Sequence, residues 1–300
     1  MLEMFGISWN SFWFTPGSAF DLGVARFFVV GYYLVFKLTE RPFDFQAWAK
    51  VYRIFSKVYP WQTPWLLKKM NISVEPNKFH SVIIQAYVFA LIMTMLGLLT
   101  TAACFIALVL GLYLHGLRHG IRNHHTGIPI HFCLLGFLFS QSGKAFSLDS
   151  FISGNFNFDL LHYSAWHGWG LIYIKVVMAL VIFATGYAKI KQIPGGHIFW
   201  KKGHLADLTR VHDFPFFFVA PIFSMSRFFR KFPNIEVILS LGTVVIEVLY
   251  PIVLFFPLTA WFFVPNFVAM LIGFRIFIGA RFDFFAAILV GIYVPWSWFL

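Results

Sequence analysis

Charge is scarce in this chain. Only 12% of its 300 residues are Asp, Glu, Lys or Arg, whereas a water-soluble domain carries about a quarter. The shortage excludes a soluble globular protein. With 59% hydrophobic residues and a mean hydropathy of +0.75, so much apolar surface is hidden from water only by lipid. Acidic residues are the scarcest, 12 against 23 lysines and arginines. The net charge of +11 would suit nucleic acid in a soluble protein, but in a membrane protein it reads as loop charge, and nucleic acid is set aside. Cysteine is nearly absent: Cys104 and Cys133 both fall in apolar stretches, which excludes a disulfide framework and zinc-ligand spacing. The opening MLEMFGISWNSFWFTPGSAF has no basic region ahead of an apolar core, so it does not read as a cleavable signal peptide. No repeat or low-complexity tract is evident.

Aromatic side chains are abundant. The 41 phenylalanines suit lipid-facing and helix-packing surfaces, and the 11 tryptophans suit the membrane interface. Crossing a bilayer takes about 20 largely apolar residues, and eight candidate runs are found at 19–38, 81–99, 101–117, 127–143, 166–189, 234–256, 258–280 and 282–300. The short breaks at 97–101 and 256–258 predict tight antiparallel hairpins. The expectation is an all-α polytopic membrane protein of about eight transmembrane helices, forming one domain over 1–300. Residues 39–80 interleave Trp48, Trp61 and Trp65 with Lys50, Arg53, Lys57, Lys68 and Lys69, a pattern of helices lying in the interface. The stretch FPFFFVAPIFSMSRFF within 190–233 is broken by Pro215 and Pro221 and reads as re-entrant or interfacial.

Eight spans sort the connections by side. One face receives Arg41, Arg118, Arg122, Lys201, Lys202, Arg210 and most other loop cations, and the opposite face receives Lys144. The positive-inside rule makes the basic face cytoplasmic. Arg26, Lys175 and Glu247 lie inside predicted spans, where ionisable groups are paired, line a cavity or carry function. Counted along their helices at about 1.5 Å per residue, all three fall at a similar depth. A structural pair of Glu247 with Lys175 or Arg26 is the plain expectation, and a site for a headgroup or anionic substrate is the alternative. Arg275 and Glu236 lie nearer the basic face, placed to pair or to snorkel.

Histidines cluster in HGLRHGIRNHHTGIPIH, which holds His115, His119, His124, His125 and His131. His115 and His119 share a helical face, and with His124 and His125 they are similar to the histidine boxes of membrane di-iron oxygenases. A third box would have to come from His162 and His167 on the opposite face, so His115, His119 and His125 are weak metal candidates. A polar loop at headgroup level, or acid–base and hydrogen-bonding roles near neutral pH, are the other readings.

ATGYAKIKQ, residues 184–192, ends an apolar run on Lys189 and Lys191. A lysine there is an interfacial anchor, or a general base if the protein dries it.

Four stretches together resemble the horizontally transferred transmembrane family, which includes the membrane domain of vitamin K-dependent γ-glutamyl carboxylase. They are TPGSAFDLGVARFFVVGYYL (15–34), NHH (123–125), KAFSLDSF (144–151) with its Ser147, Leu148 and Asp149, and ATGYAKI (184–190). VIEVLYPIVLF (245–255) supplies the glutamate of that family's sixth helix as Glu247. The resemblance implies that Lys189 is the base that deprotonates a quinol, with Asn123 and His124 as partners, and that a quinone or quinol is the cofactor. It also implies a topology with the lysine face outside the cytoplasm, opposite to the charge count. The chain departs from the carboxylase in having no histidine after His212 and no large domain to grip a glutamate-rich substrate, so glutamate carboxylation is not expected. One member of the family serves in maturation of a secreted bacterial peptide toxin. That implies the bacterial cytoplasmic membrane, membrane lipid as surroundings, and a peptide or protein substrate in a non-catalytic accessory role. The sequence sets no oligomeric state.

Overall fold

The computed structural model describes residues 8–39, 78–119, 128–154, 163–191, 226–278 and 282–299. They are mostly helical. The chain divides into two compact units, one of Trp9–Leu171 with Pro295–Leu300 and one of Met1–Ser8 with Ile172–Val294. The first is called here the amino-terminal unit and the second the carboxy-terminal unit.

In the amino-terminal unit, a short helix α1 (Trp9–Trp13) leads to β1 (Gly17–Ser18) and α2 (Ala19–Thr39). Then come α3 (Lys78–Leu96), α4 (Thr100–His119), α5 (Ile128–Phe139), α6 (Leu148–Ile152) and β2 (Tyr163–Ser164). The two strands form a minimal antiparallel ladder, Gly17 opposite Ser164 and Ser18 opposite Tyr163. Helices α2 to α5 pack on one another, α2 against α3 and α5, and α4 against α3 and α5. The buried stripe of α2 is Leu22, Ala25, Arg26, Val29, Val30 and Tyr33, the three-and-four spacing of a helix with one face inward. Its other face exposes Phe27 and Val35, and α3 and α4 expose Phe89, Ile92, Phe105, Val109 and Leu112. Large apolar side chains facing outward on consecutive helices suit lipid. Gly97 at φ +71 and Leu99 at φ 47 make the tight turn between α3 and α4 that the short break predicts.

Helix α7 (Ala165–Lys191) begins in the amino-terminal unit and continues into the carboxy-terminal one. The latter adds α8 (Ser226–Lys231), α9 (Pro233–Leu249), α10 (Ile252–Phe255), α11 (Ala260–Gly273) and α12 (Asp283–Tyr293). Pro233 starts α9 at a position where its missing N–H costs nothing, and a short 3-10 turn, Pro257–Thr259, opens the hairpin partner α11. A π-helical turn, Phe274–Ile278, ends α11. α11 packs on α12. α12 is buried at nearly every position from Phe284 to Ile292, the signature of a helix enclosed by its own protein.

Three helical segments are long and apolar enough to cross a membrane, Ala165–Lys191, Pro233–Phe255 and Pro257–Ile276. Ser81–Leu96, Thr100–His115, Ile128–Phe139 and Asp283–Tyr293 are apolar but shorter. The run at 127–143 shortens because a turn begins at Ser140, which leaves α5 about 18 Å long against a hydrocarbon layer of about 30 Å. The run at 282–300 is interrupted where Val294 turns extended and Pro295 follows. Most of the interfacial stretches, 40–77 and 192–225, lie outside the described residues.

Candidate functional site

The last turns of α7 carry Lys189, and the facing helix α9 carries Glu247. The two helices meet closely because residue 186 is glycine. A Cβ there would sit 2.8 Å from the Glu247 Cβ, 2.9 Å from the Val248 Cγ2 and 3.1 Å from the Val248 nitrogen. Across this contact the Lys189 Nζ donates to both carboxylate oxygens of Glu247, at 2.6 and 2.7 Å. The Lys189 side chain is 21% exposed and that of Glu247 5%, so the carboxylate is the more hidden member of the pair. Thr185, just before Gly186, turns its hydroxyl back onto the Ile182 carbonyl at 2.6 Å, which keeps it from competing for the pair. Lys191 lies over the Tyr187 ring at 5.7 Å, the posture of an anchor.

The structure thus changes the partner expected for Glu247. Its cation is Lys189 rather than Lys175 or Arg26. Lys175 sits over the Tyr293 ring, 4.9 Å from its centroid. Arg26 is fully buried and donates to backbone carbonyls, Ser142 at 2.5 Å and Phe146 at 2.6 Å. The depth count placed each helix on one common plane, but α7 runs 27 residues, and only packing decides which of its two inward lysines meets α9. Glu236 is 1% exposed, so it does not snorkel.

Arg26 belongs to a second constellation that absorbs the Ser-Leu-Asp motif. Ser147 caps the short helix α6, accepting from the Ser150 N–H at 3.0 Å, and its own hydroxyl donates to the Gly143 carbonyl at 2.6 Å. Asp149 reaches back to the start of α4, where its carboxylate accepts from the Leu99 N–H at 2.7 Å, the Thr100 N–H at 2.8 Å and the Thr100 hydroxyl at 2.8 Å. The Asp149 N–H in turn donates to the Gly97 carbonyl at 2.9 Å. These are N–H groups that a helix start leaves without intrahelical partners. Burial alone would push the Asp149 carboxyl up. The bonds from Thr100 and Leu99 and the Arg26 charge outweigh it and hold the carboxyl below its ordinary value. Leu148 is a half-exposed apolar residue at the first position of α6. Gly97 completes the knot, since a Cβ there would meet the Ser147 Cβ at 2.4 Å and Arg26 Nη2 at 2.6 Å. Two turns and one helix are tied together through backbone groups and partner side chains.

His115 and His131 lie side by side in the amino-terminal unit, ring centroids 5.2 Å apart. They are near Gly111, whose missing side chain lets His131 and Tyr87 approach α4. Tyr87 donates to the Tyr33 hydroxyl at 3.2 Å. His119 ends α4. Asn123, His124, His125 and His162 lie outside the described residues. His167 is buried in the first turn of α7. Among the described residues, no group of three or more His, Cys, Asp or Glu side chains is placed to hold a metal ion.

Sequence reasoning passed over Tyr250, which stands one turn beyond Glu247, a signal that was available. In comparison with known proteins, no family model, no curated protein and no solved structure matches this chain.

Proposed function

We propose that this chain is an integral membrane protein of about eight spans, of the horizontally transferred transmembrane type. Its Lys189–Glu247 pair would move a proton on a lipid-soluble, quinol-type molecule. The observation that carries the reading is the Lys189 Nζ held at 2.6 and 2.7 Å from the two Glu247 oxygens between apolar helices. A bound quinol would supply an acidic hydroxyl and reducing equivalents. The residues present fit the proton-accepting half of that chemistry. Glu247 is placed to take one proton from Lys189 Nζ, leaving a neutral amine as the acceptor for the hydroxyl's proton. The result is a protonated lysine beside a neutral carboxyl, and the proton count closes. Glu247 also fixes the side-chain direction of Lys189, the more exposed member of the pair. Asn123 and His124 are the proposed hydrogen-bonding partners for the substrate.

A second reading is favoured by the same contact. A carboxylate that engages its lysine with both oxygens makes a neutral clasp between α7 and α9, sufficient to fix their packing in a protein without catalytic activity that handles a peptide partner. Mass spectrometry of lipids and metals retained by detergent-purified protein separates the two. A stoichiometric quinone present in the wild type and lost in Lys189→Ala supports the proton-transfer site. Bulk phospholipid alone, unchanged by the substitution, supports the clasp, and stoichiometric iron would support the di-iron alternative.

A further inference from the structure

Helix α9 is polar on the side it buries. Its exposed side chains include Ile235, Ile238, Leu241, Val245 and Leu249, the apolar surface that a membrane-crossing helix turns to lipid. Its buried residues are Glu236, Ser240, Thr243, Val244 and Glu247, and all but Val244 are polar. In the same unit α12 shows the contrary case, burying phenylalanine, alanine, isoleucine and leucine. At about 100° per residue the four polar positions of α9 fall within an arc of about 60°, and at about 1.5 Å per residue they make a file about 16 Å long. Successive members are about 4.5 to 6 Å apart along the axis, a gap that one water bridges. Thr243 donates its hydroxyl to the Leu239 carbonyl at 2.9 Å, which leaves its oxygen as an acceptor. The Ser240 Oγ is buried and has no hydrogen-bond partner, although a helical serine can bond the carbonyl four residues back. The file ends on Glu247, whose carboxylate holds Lys189.

We propose that Glu236, Ser240, Thr243 and Glu247 form a proton path, completed by internal water, from the Lys189–Glu247 pair to the end of the span where α9 starts. Two carboxylates with two hydroxyls between them lie on the hidden face of a helix long and apolar enough to cross a membrane. Such groups are expensive there unless they serve a relay or an ion path. Carboxyl and hydroxyl groups each accept and give a proton, and a buried hydroxyl without a protein partner is a seat for water. Among the described side chains, the charged groups on the elements packed on α9 are cations. They are Lys175, Lys189 and Lys191 of α7, Arg230 and Lys231 of α8, and Arg275 in the turn that ends α11. Of these, Lys189 is bonded to the file and closes its inner end. The transfer moves one proton and no electron. Each group takes a proton from one side and gives one to the other, so none is changed, and water at the far end receives the proton. The path deepens the proton-transfer reading, on which it rests for the proton's source, by giving that proton an exit.

The test reads protonation of Glu247 directly, by stopped-flow infrared spectroscopy of the full chain in detergent after a step from neutral to acid pH. The Glu247 band is the carboxyl stretch that Glu247→Gln lacks. Glu236→Gln and Ser240→Ala are each expected to slow its appearance roughly tenfold or more while leaving its final amplitude unchanged. Leu241→Ser, on the exposed side of the same helix, is expected to keep the wild-type rate. An unchanged rate in either path variant would overturn the proposal, even if the midpoint of the Glu247 titration moved, because a shifted midpoint alone marks a structural role. A slowing in Leu241→Ser as large as in the path variants would overturn it too. So would a Glu247 that stays ionised at every pH at which the chain remains folded. If Glu236→Gln does not fold, Ser240→Ala alone is read by the same standard. No quinone is present, so failure here leaves the retained-quinone experiment to decide the role of Lys189, and a missing quinone leaves these rates to decide the path.

Discussion

Two cations, one in each unit, are satisfied in opposite ways. Arg26 in the amino-terminal unit spends its planar fork on two backbone carbonyls, while Asp149 nearby spends its carboxylate on the start of α4. Lys189 in the carboxy-terminal unit meets a side-chain carboxylate, Glu247, its ammonium bonded to both oxygens. The arginine is tied to main chain, which has no protonation state to exchange. The lysine is tied to a group that can itself take a proton. The first arrangement fixes a fold, and the second leaves chemistry open.

The sharpest way to break this contrast is at Arg26. Arg26→Ala leaves the Ser142 and Phe146 carbonyls without donors and opens a cavity, which together cost about 4 kcal/mol or more. Loss of folded protein in detergent is the expected readout, and Arg26→Lys should recover only part of it, because an ammonium cannot reproduce the fork. An Arg26→Ala protein as stable as wild type would mean that the knot is ornamental.

Lys189→Met comes next. It strands the Glu247 carboxylate between helices, at a cost of about 3 kcal/mol. The double variant Lys189→Met/Glu247→Leu should regain most of that stability, since two apolar residues replace a desolvated pair. Chemical-denaturation midpoints of the four proteins give the coupling. Stability regained with function kept favours the clasp, and stability regained with function lost favours proton transfer.

Asp149→Asn should cost less, about 1–2 kcal/mol, because the amide keeps one acceptor for the α4 cap. It also carries a pH signature. The Asp149 carboxyl is held below its ordinary value, so its contribution is complete above the ordinary carboxylate range. That contribution fades as pH falls through the lower value of the folded state. A melting-temperature profile taken downward from pH 6 should therefore fall more steeply in wild type than in Asp149→Asn. Thr100→Val, which removes one hydroxyl donor to Asp149, is the mildest change at about 1 kcal/mol. An effect larger than that of Asp149→Asn would place the weight of the knot on Thr100 instead.

Much of this was legible in the residues. Apolar run length located α2, α3, α4 and α7 to within a few residues, because runs bounded by glycine, proline and charge leave little choice in lipid. The turn at Gly97–Leu99 was legible for the same reason. Run length was a poorer guide to crossing. The predicted runs were carried through the polar Ser140–Gly143 and past Val294, but the backbone turns at both places. At the candidate site, Arg26, Lys175 and Glu247 were singled out by the cost of placing charge in an apolar run, and Lys189 by its place where such a run ends. Their partners were not. Helical depth is one coordinate, and pairing depends also on rotation and on how closely two helices approach. Gly186 settles that approach.

The sequence by itself determined that this is a helical protein rich in membrane-compatible surface, with few charges and therefore with each interior charge obliged to find a partner. That follows from composition and period alone, because the cost of an unpaired charge in an apolar medium does not depend on the fold. Only the tertiary structure decided the partners: Glu247 for Lys189, backbone carbonyls for Arg26, and an aromatic face for Lys175. Those choices rest on contacts a few ångströms long between residues far apart in the chain, and such distances exist only once the helices have packed.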